Sequence, residues 1–306
     1  MRVIVVFIDG MGLGKVSPEN PFVFAETPFL ETLFRGNPLT GEMSGFHDHA
    51  ATLRALDAQL GVSGLPQSAT GQAALFTGIN APHHLGYHLS GFPNEILRTL
   101  LRKEGLFGFL RGQGYRCAFI NAYRPQFFEQ LGKGFGEERY SCSTLITYYG
   151  GLPFHGIDHL ARGQALFMDL TNELLNRAGF SVPVITPEEA GKRLIDIGAG
   201  YDFSLFEYFI TDYAGHQADP EEAGRVIGIL DRFLGAAAAR LDPEETLLLV
   251  TSDHGNIEDL SHGSHTLNPV PALLIGAEAV RRRLGSMLGD LTDIKRVVRT
   301  ALKMGG

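Results

Sequence analysis

Five stretches of the chain are runs of apolar residues with little polar alternation, and three of them stop at an acidic residue. Arg2 to Ile8 (RVIVVFI) ends in Asp9-Gly10, Phe203 to Ile210 (FSLFEYFI) leads into Thr211-Asp212, and Thr246 to Thr251 (TLLLVT) ends in Ser252-Asp253-His254-Gly255. Cys117 to Ile120 and Ala272 to Ile275 are shorter runs of the same kind. Such runs predict strands buried on both faces, the habit of parallel sheets covered by helices. Helical spacing fills Asn94 to Gln113, Pro220 to Arg240 and the segment from Glu278 onward. Strands alternating with helices predict an α/β fold: a doubly wound, mostly parallel sheet with helices on both faces. In such sheets ligands bind beyond the carboxyl ends of the strands, which is where the acidic residues fall.

Residues 123–183 break this pattern. They are rich in aromatics and glycine (QFFEQLGKGFGEERY, TYYGGLPFHG) and hold no clear buried strand. They are expected to form a small inserted lid or cap over the strand ends, with 1–122 and 184–306 making the core. The plainer alternative is an elaborated surface loop with one helix around Gly163 to Ala178. No internal repeat or low-complexity tract interrupts the chain.

Composition narrows the classes. At 306 residues with 44% hydrophobic residues, a sizeable core is expected. A formal net charge of -8 argues against nucleic-acid or anionic-membrane binding. An anionic substrate remains compatible if bound cations reverse the field locally. The only two cysteines, Cys117 and Cys142, are read as reduced core residues rather than a disulfide framework. The N-terminal run is too short for a signal-peptide core, and no stretch reaches the roughly 18 apolar residues of a membrane span. The expected compartment is the cytoplasm.

The polar residues after the runs carry the chemistry. Asp212 and His216 are four apart, Asp253 and His254 adjacent, and His265 sits in GSHTLNPVP before another strand; Asp9 adds a carboxylate. Each alone has an ordinary reading, since Asp at a strand end often caps the next helix. Convergence of six oxygen and nitrogen donors on one sheet edge changes that balance. Mixed Asp/His ligation suits Zn²⁺ or Mn²⁺, whereas an oxygen-only set favours Mg²⁺ or Ca²⁺. Two cations roughly 3.5–4 Å apart can stabilise both the attacking and the leaving oxygen of an in-line displacement.

Between the first strand and the other donors lies GLPQSATGQAALFTG, residues 64–78. A small-residue turn followed by a helical apolar stretch puts Ser68 or Thr70 at a helix N-terminus, where the dipole favours an anion. Plain N-capping by either hydroxyl is the competing reading. No GxSxG elbow supports a serine hydrolase, and no nucleotide-binding loop is present in the right context. Metal coordination is then the remaining way to activate the hydroxyl.

Taken together, IDGMGLG (8–14), GLPQSATGQ (64–72), TDYAGH (211–216), SDHGN (252–256) and SHTLNPVP (264–271) resemble the alkaline phosphatase superfamily, most closely the metalloenzyme domain of cofactor-independent phosphoglycerate mutase and phosphopentomutase. The pieces occur in family order over nearly the whole chain. The resemblance implies two divalent metal ions, Mn²⁺ or Zn²⁺, one bound by Asp212, His216 and His265. The other is implied at Asp9, Asp253, His254 and the Ser68 oxygen. It favours Ser68 over Thr70 as nucleophile and His265 over His262 as ligand, and it departs at Gln72, where the mutase pattern has His. The mutase also carries a long Arg- and Lys-rich insert. In residues 123–183 the only basic side chains are Arg124, Lys133, Arg139, Arg162 and Arg177. The expected activity is therefore hydrolysis of a phosphomonoester or phosphodiester, acting on a small phosphorylated substrate through a phosphoserine. A phosphomutase is the alternative, and a catalytically silent metal-binding relative the third possibility.

Overall fold

The computed structural model describes residues 1–304, built on one six-stranded sheet. The strands are β1 (Arg2–Ile8), β2 (Ala51–Leu56), β3 (Cys117–Phe119), β4 (Phe203–Tyr208), β5 (Thr246–Ser252) and β6 (Val270–Ile275), in the order β2-β6-β5-β1-β4-β3. β1 pairs in parallel with both β4 and β5, and β3 in parallel with β4. β6 runs antiparallel to its neighbours β5 and β2. The sheet is thus mixed, with one reversed strand in an otherwise parallel set. Helices cover both faces.

All five runs read from the sequence are strands. β2 was not expected: ATLRAL includes Arg54 and lies at the sheet edge, so it lacks the unbroken apolar signature of a central strand.

The unbroken runs have a direct cause, because alternate residues serve different cores. Val3, Val5 and Phe7 of β1 join Leu205, Leu247 and Leu249 on one face, while Ile4, Val6 and Ile8 join Phe206, Leu248 and Val250 on the other. The first face is covered by the helices Ser68–Thr77, Glu95–Glu104, Cys142–Tyr149 and Asp293–Lys303. The second is covered by Pro28–Leu33, Pro187–Gly198 and Pro220–Arg240. Helix starts are written into the sequence. Thr186 and Glu189 form a reciprocal capping box with Pro187 following, and Asp219 caps the long helix ahead of Pro220.

Within residues 123–183, the Cys142–Tyr149 helix packs Cys142, Leu145 and Ile146 into the first core. Ala122, Leu160, Ala165, Phe167, Leu175 and Val182 form a separate small cluster beyond the strand ends. Among the described residues no helix is long and apolar enough to cross a membrane.

The strand order puts β5, β1 and β4 side by side, so Asp253, Asp9 and Asp212 emerge from three neighbouring strands on one edge. That adjacency creates the site.

Candidate metal centre

Asp9 follows β1 directly. Its carboxylate lies 3.2 Å from His254 Nε2, and His254 Nε2 lies 3.6 Å from Asp253 Oδ2. Asp212, in the first turn of the Ile210–Gln217 helix, holds His216 Nε2 at 3.3 Å and His265 Nε2 at 3.6 Å. Donor atoms of Asp212, His216 and His265 come within 4.8 Å of one another, as do those of Asp9, Asp212 and His254. Asp212 belongs to both groups. Ser68 opens the Ser68–Thr77 helix, and its Oγ is 2.9 Å from His254 Nε2. All seven residues singled out in the sequence therefore meet at one place.

The two alternatives weighed against them lie elsewhere. Thr70 is fully buried, its hydroxyl donating to the Gln67 carbonyl and accepting from the Leu89 amide. His262 is half exposed and contacts Asp259 and Ser264.

Close packing makes the convergence possible. Gly10 adopts φ +70°, and a Cβ there would lie 2.7 Å from Asp212 Oδ1. A Cβ on Gly71 would lie 2.7 Å from the Asp253 carbonyl oxygen, so the nucleophile helix can approach the Asp253 loop only with glycine at that turn.

The donor set fits divalent cations on three grounds. First, the imidazole Nδ1 atoms are each within reach of a backbone carbonyl: His265 to Pro66 at 2.8 Å, His216 to Gly263 at 3.0 Å and His254, more loosely, to Gly255 at 3.4 Å. A proton held at Nδ1 leaves each Nε2 lone pair facing the carboxylates, the arrangement typical of ligating histidines. Second, Asp9 Oδ1 is buried and accepts no hydrogen bond. Third, the charges do not balance. Burial, then the neighbouring Asp9, pushes the Asp253 carboxyl well above the usual carboxylate range. Burial alone would lower His254, yet the Asp253 and Asp9 carboxylates raise it to about 10. His265 is lowered to about 4 by burial and by the charge on His254. A cluster that must take up protons to offset its carboxylates is one that cations can neutralise instead.

Several further residues surround the cluster, and of these Glu258 and Glu207 lie outside the motifs. Gln72 Nε2 donates to Asp9 Oδ2 at 3.3 Å and to Asp253 Oδ2 at 3.2 Å, spanning two carboxylates from the position where the mutase pattern has His. Asn256 Nδ2 donates to Asp212 Oδ1 at 2.7 Å. Glu258, buried, accepts from the amides of Gly12 and Asn256, from the Thr266 hydroxyl and from Asn268 Nδ2. It ties together the loops after β1, after β5 and before β6. Glu207 on β4 is also buried; it accepts from Ser143 Oγ at 2.6 Å, and burial with the nearby Asp9 pushes it up to about 7. A carboxylate inside an apolar strand, as in FSLFEYFI, is the one sequence signal that could have marked Glu207.

The chain is similar to known proteins in part of its sequence and in its fold. A family model described as the Metalloenzyme superfamily matches residues 185–304. The 2,3-bisphosphoglycerate-independent phosphoglycerate mutase of Dinoroseobacter shibae is 35% identical over 117 residues, 36% of this chain and 23% of the relative. The chain thus aligns with less than a quarter of that relative's length. Among solved structures, Leishmania mexicana phosphoglycerate mutase aligns over 98% of this chain and 95% of its own, with TM-score 0.61 and 12% identity. Thermus thermophilus alkaline phosphatase aligns over 99% and 91%, with TM-score 0.55 and 13% identity. At such identities the structural likeness speaks for the fold.

Two expectations follow. Glu258→Ala strips four donors of their acceptor and should destabilise the metal-free protein by about 3 kcal/mol or more in urea unfolding. A loss below about 1 kcal/mol would contradict the tying role. Second, Mn²⁺ binding at pH 7.5 should release about one proton or more, because His254 carries a proton there that ligation must displace. Apparent affinity should then rise between pH 6 and 8. Calorimetry in buffers of different ionisation enthalpy reads the release, and a pH-independent affinity without proton release would contradict it.

Proposed function

We propose that the chain is a member of the alkaline phosphatase superfamily and that it hydrolyses a small phosphoester through a phosphoserine at Ser68; the Metalloenzyme superfamily match over residues 185–304 and the 35% identity to a phosphoglycerate mutase support this reading. The observation that carries this reading is the Ser68 hydroxyl at a helix N-terminus, 2.9 Å from His254 within a cluster of three carboxylates and three imidazoles. We assign one divalent cation, Mn²⁺ or Zn²⁺, to Asp212, His216 and His265, and a second to Asp9, Asp253, His254 and the Ser68 oxygen. Bound there, the cations supply positive charge that draws in the phosphoryl group and offsets charge developing on the attacking and leaving oxygens.

The protein's own groups do the rest. The helix beginning at Ser68 directs its positive end at the incoming phosphate. Gln72 holds the Asp9 and Asp253 carboxylates in register, and Asn256 holds Asp212. Ser68 Oγ gives up its proton to solvent and attacks phosphorus while the bond to the leaving alcohol breaks, and the alcohol oxygen takes a proton from solvent as it departs. Water then attacks the phosphoserine, releasing inorganic phosphate and restoring the Ser68 hydroxyl. Residues 123–183, which line much of the cavity above Ser68, act in this reading as its cover.

Hydrolysis is favoured over internal transfer by the poverty of basic groups. Among the described residues, Arg124 and Arg139 are the only Lys or Arg side chains lining the cavity, whereas a mutase must retain its dephosphorylated anionic intermediate. A phosphomutase remains the second reading, favoured by the 35% identity to a protein named as one. We place the reaction in the cytoplasm; the buried, unpaired Cys117 and Cys142 are compatible with a reducing compartment.

With Mn²⁺ and a panel of phosphoesters, the protein should release inorganic phosphate, and mass spectrometry of the trapped enzyme should find phosphate on Ser68. Ser68→Ala should lose most activity while folding normally. Thr70→Ala should instead cost about 1 kcal/mol of stability, from the lost Gln67 and Leu89 contacts. Isomerised product without net phosphate release would replace hydrolase with mutase. An active Ser68→Ala without any phosphoenzyme would remove the nucleophile assignment.

A further inference from the structure

A cavity of about 670 Å³ opens directly over the reaction centre, with Asp9, Ser68, Gln72 and Asp212 in its wall. A three-carbon phosphate would leave most of that volume unfilled, since cavities of about 300–1,000 Å³ suit ligands of drug-like size. Its remaining wall mixes polar side chains with many aromatic rings, among them Phe92, Tyr123, Phe127, Phe167, Phe209 and Tyr213.

Two of these rings are placed unusually. Phe92 is 56% exposed and Tyr213 is 59% exposed, so neither is held in a core. Tyr213 follows Asp212 in the chain, on the same helix. Phe92 lies three residues beyond Leu89, whose backbone is hydrogen-bonded in both directions to Thr70, at 3.2 and 3.3 Å, in the nucleophile helix. Each exposed ring is thus tethered to one side of the reaction centre. Leaving such rings in water makes sense where a ligand covers them.

Charge points the same way. A second anionic group on the substrate would find Arg124, whose guanidinium stands 5.7 Å from the Phe167 ring, and the solvent-facing Arg139. It would also meet the buried Glu207. This is poor provision for a multiply charged small acid and good provision for a flat apolar group.

Building on the reading that Ser68 accepts the phosphoryl group, we propose that the substrate is a phosphomonoester of an alcohol bearing an aromatic ring, which packs between Phe92 and Tyr213 in this cavity. Nucleoside monophosphates and aryl phosphates share that chemistry.

The test has a binding arm and a turnover arm, both on the Mn²⁺-loaded full chain. In calorimetry, phenylphosphonate should bind at least about tenfold more tightly than methylphosphonate, the worth of one well-packed ring. In turnover, kcat/KM for 1-naphthyl phosphate or adenosine 5′-monophosphate should exceed that for glycerol phosphate by about tenfold or more, and whichever ester is faster identifies the ring type. Phe92→Ala and Tyr213→Ala should each shrink that ratio about fivefold, chiefly through KM for the aromatic ester. Equal binding of the two phosphonates, or a preference for glycerol phosphate, would overturn the substrate class while leaving hydrolysis intact. Ring-selective phosphonate binding without turnover of any ester would instead overturn the hydrolase reading and leave the aromatic site standing.

Discussion

Three carboxylates cannot share the end of a buried sheet without something positive among them. Asp9, Asp212 and Asp253 are forced together by strand order, because β5, β1 and β4 are neighbours and each delivers one acid to the same edge. Among the described residues no lysine or arginine forms an ion pair with any of them; their side-chain neighbours are the imidazoles of His216, His254 and His265. Burial and the Asp9 charge push the Asp253 carboxyl well above the usual range, and the Asp253 and Asp9 carboxylates raise His254 to about 10. Much of the surrounding structure exists to hold this arrangement. Gln72 and Asn256 donate into the carboxylates, Glu258 locks three loops, and Gly10 and Gly71 allow main chain to pass where a methyl group would collide. Such a site is costly to fold unless charge from outside completes it.

The same constraint ties fold to chemistry. A serine at the start of a helix is ordinary, and Ser68 makes no cap for its own helix. It becomes distinctive because the helix lies close enough, through Gly71, to set its hydroxyl against His254. The cavity above adds the second element, setting aromatic rings such as Phe92 and Tyr213 in one wall with Asp9, Ser68 and Asp212.

How much of this was legible in the sequence depends on range. β1, β4 and β5 announced themselves because residues alternate between two cores and so leave no polar gap. β2 did not, since an edge strand carrying Arg54 needs no such run, and the reversal of β6 has no local signature at all. The Asp and His residues that meet at this edge were readable because they lie in short motifs beside strands, after β1, β4 and β5 and before β6. Glu258 was not: it reaches Gly12 across 246 residues, and nothing local distinguishes it from a surface glutamate. Gln72 read as a missing histidine, whereas in the fold it bridges two acids from that position. For residues 123–183 the sequence showed aromatics without a pattern. Some of those side chains build the main core through Cys142–Tyr149, and others line the cavity, two uses that composition alone cannot separate.

The central claim is that this acidic edge is completed by divalent cations at two defined places. Anomalous diffraction at the manganese edge, from crystals equilibrated with Mn²⁺, tests it directly. The account predicts two peaks, one among Asp212, His216 and His265 and the other among Asp9, Asp253, His254 and Ser68. No peak at this edge, or peaks only at surface carboxylates elsewhere, would contradict it.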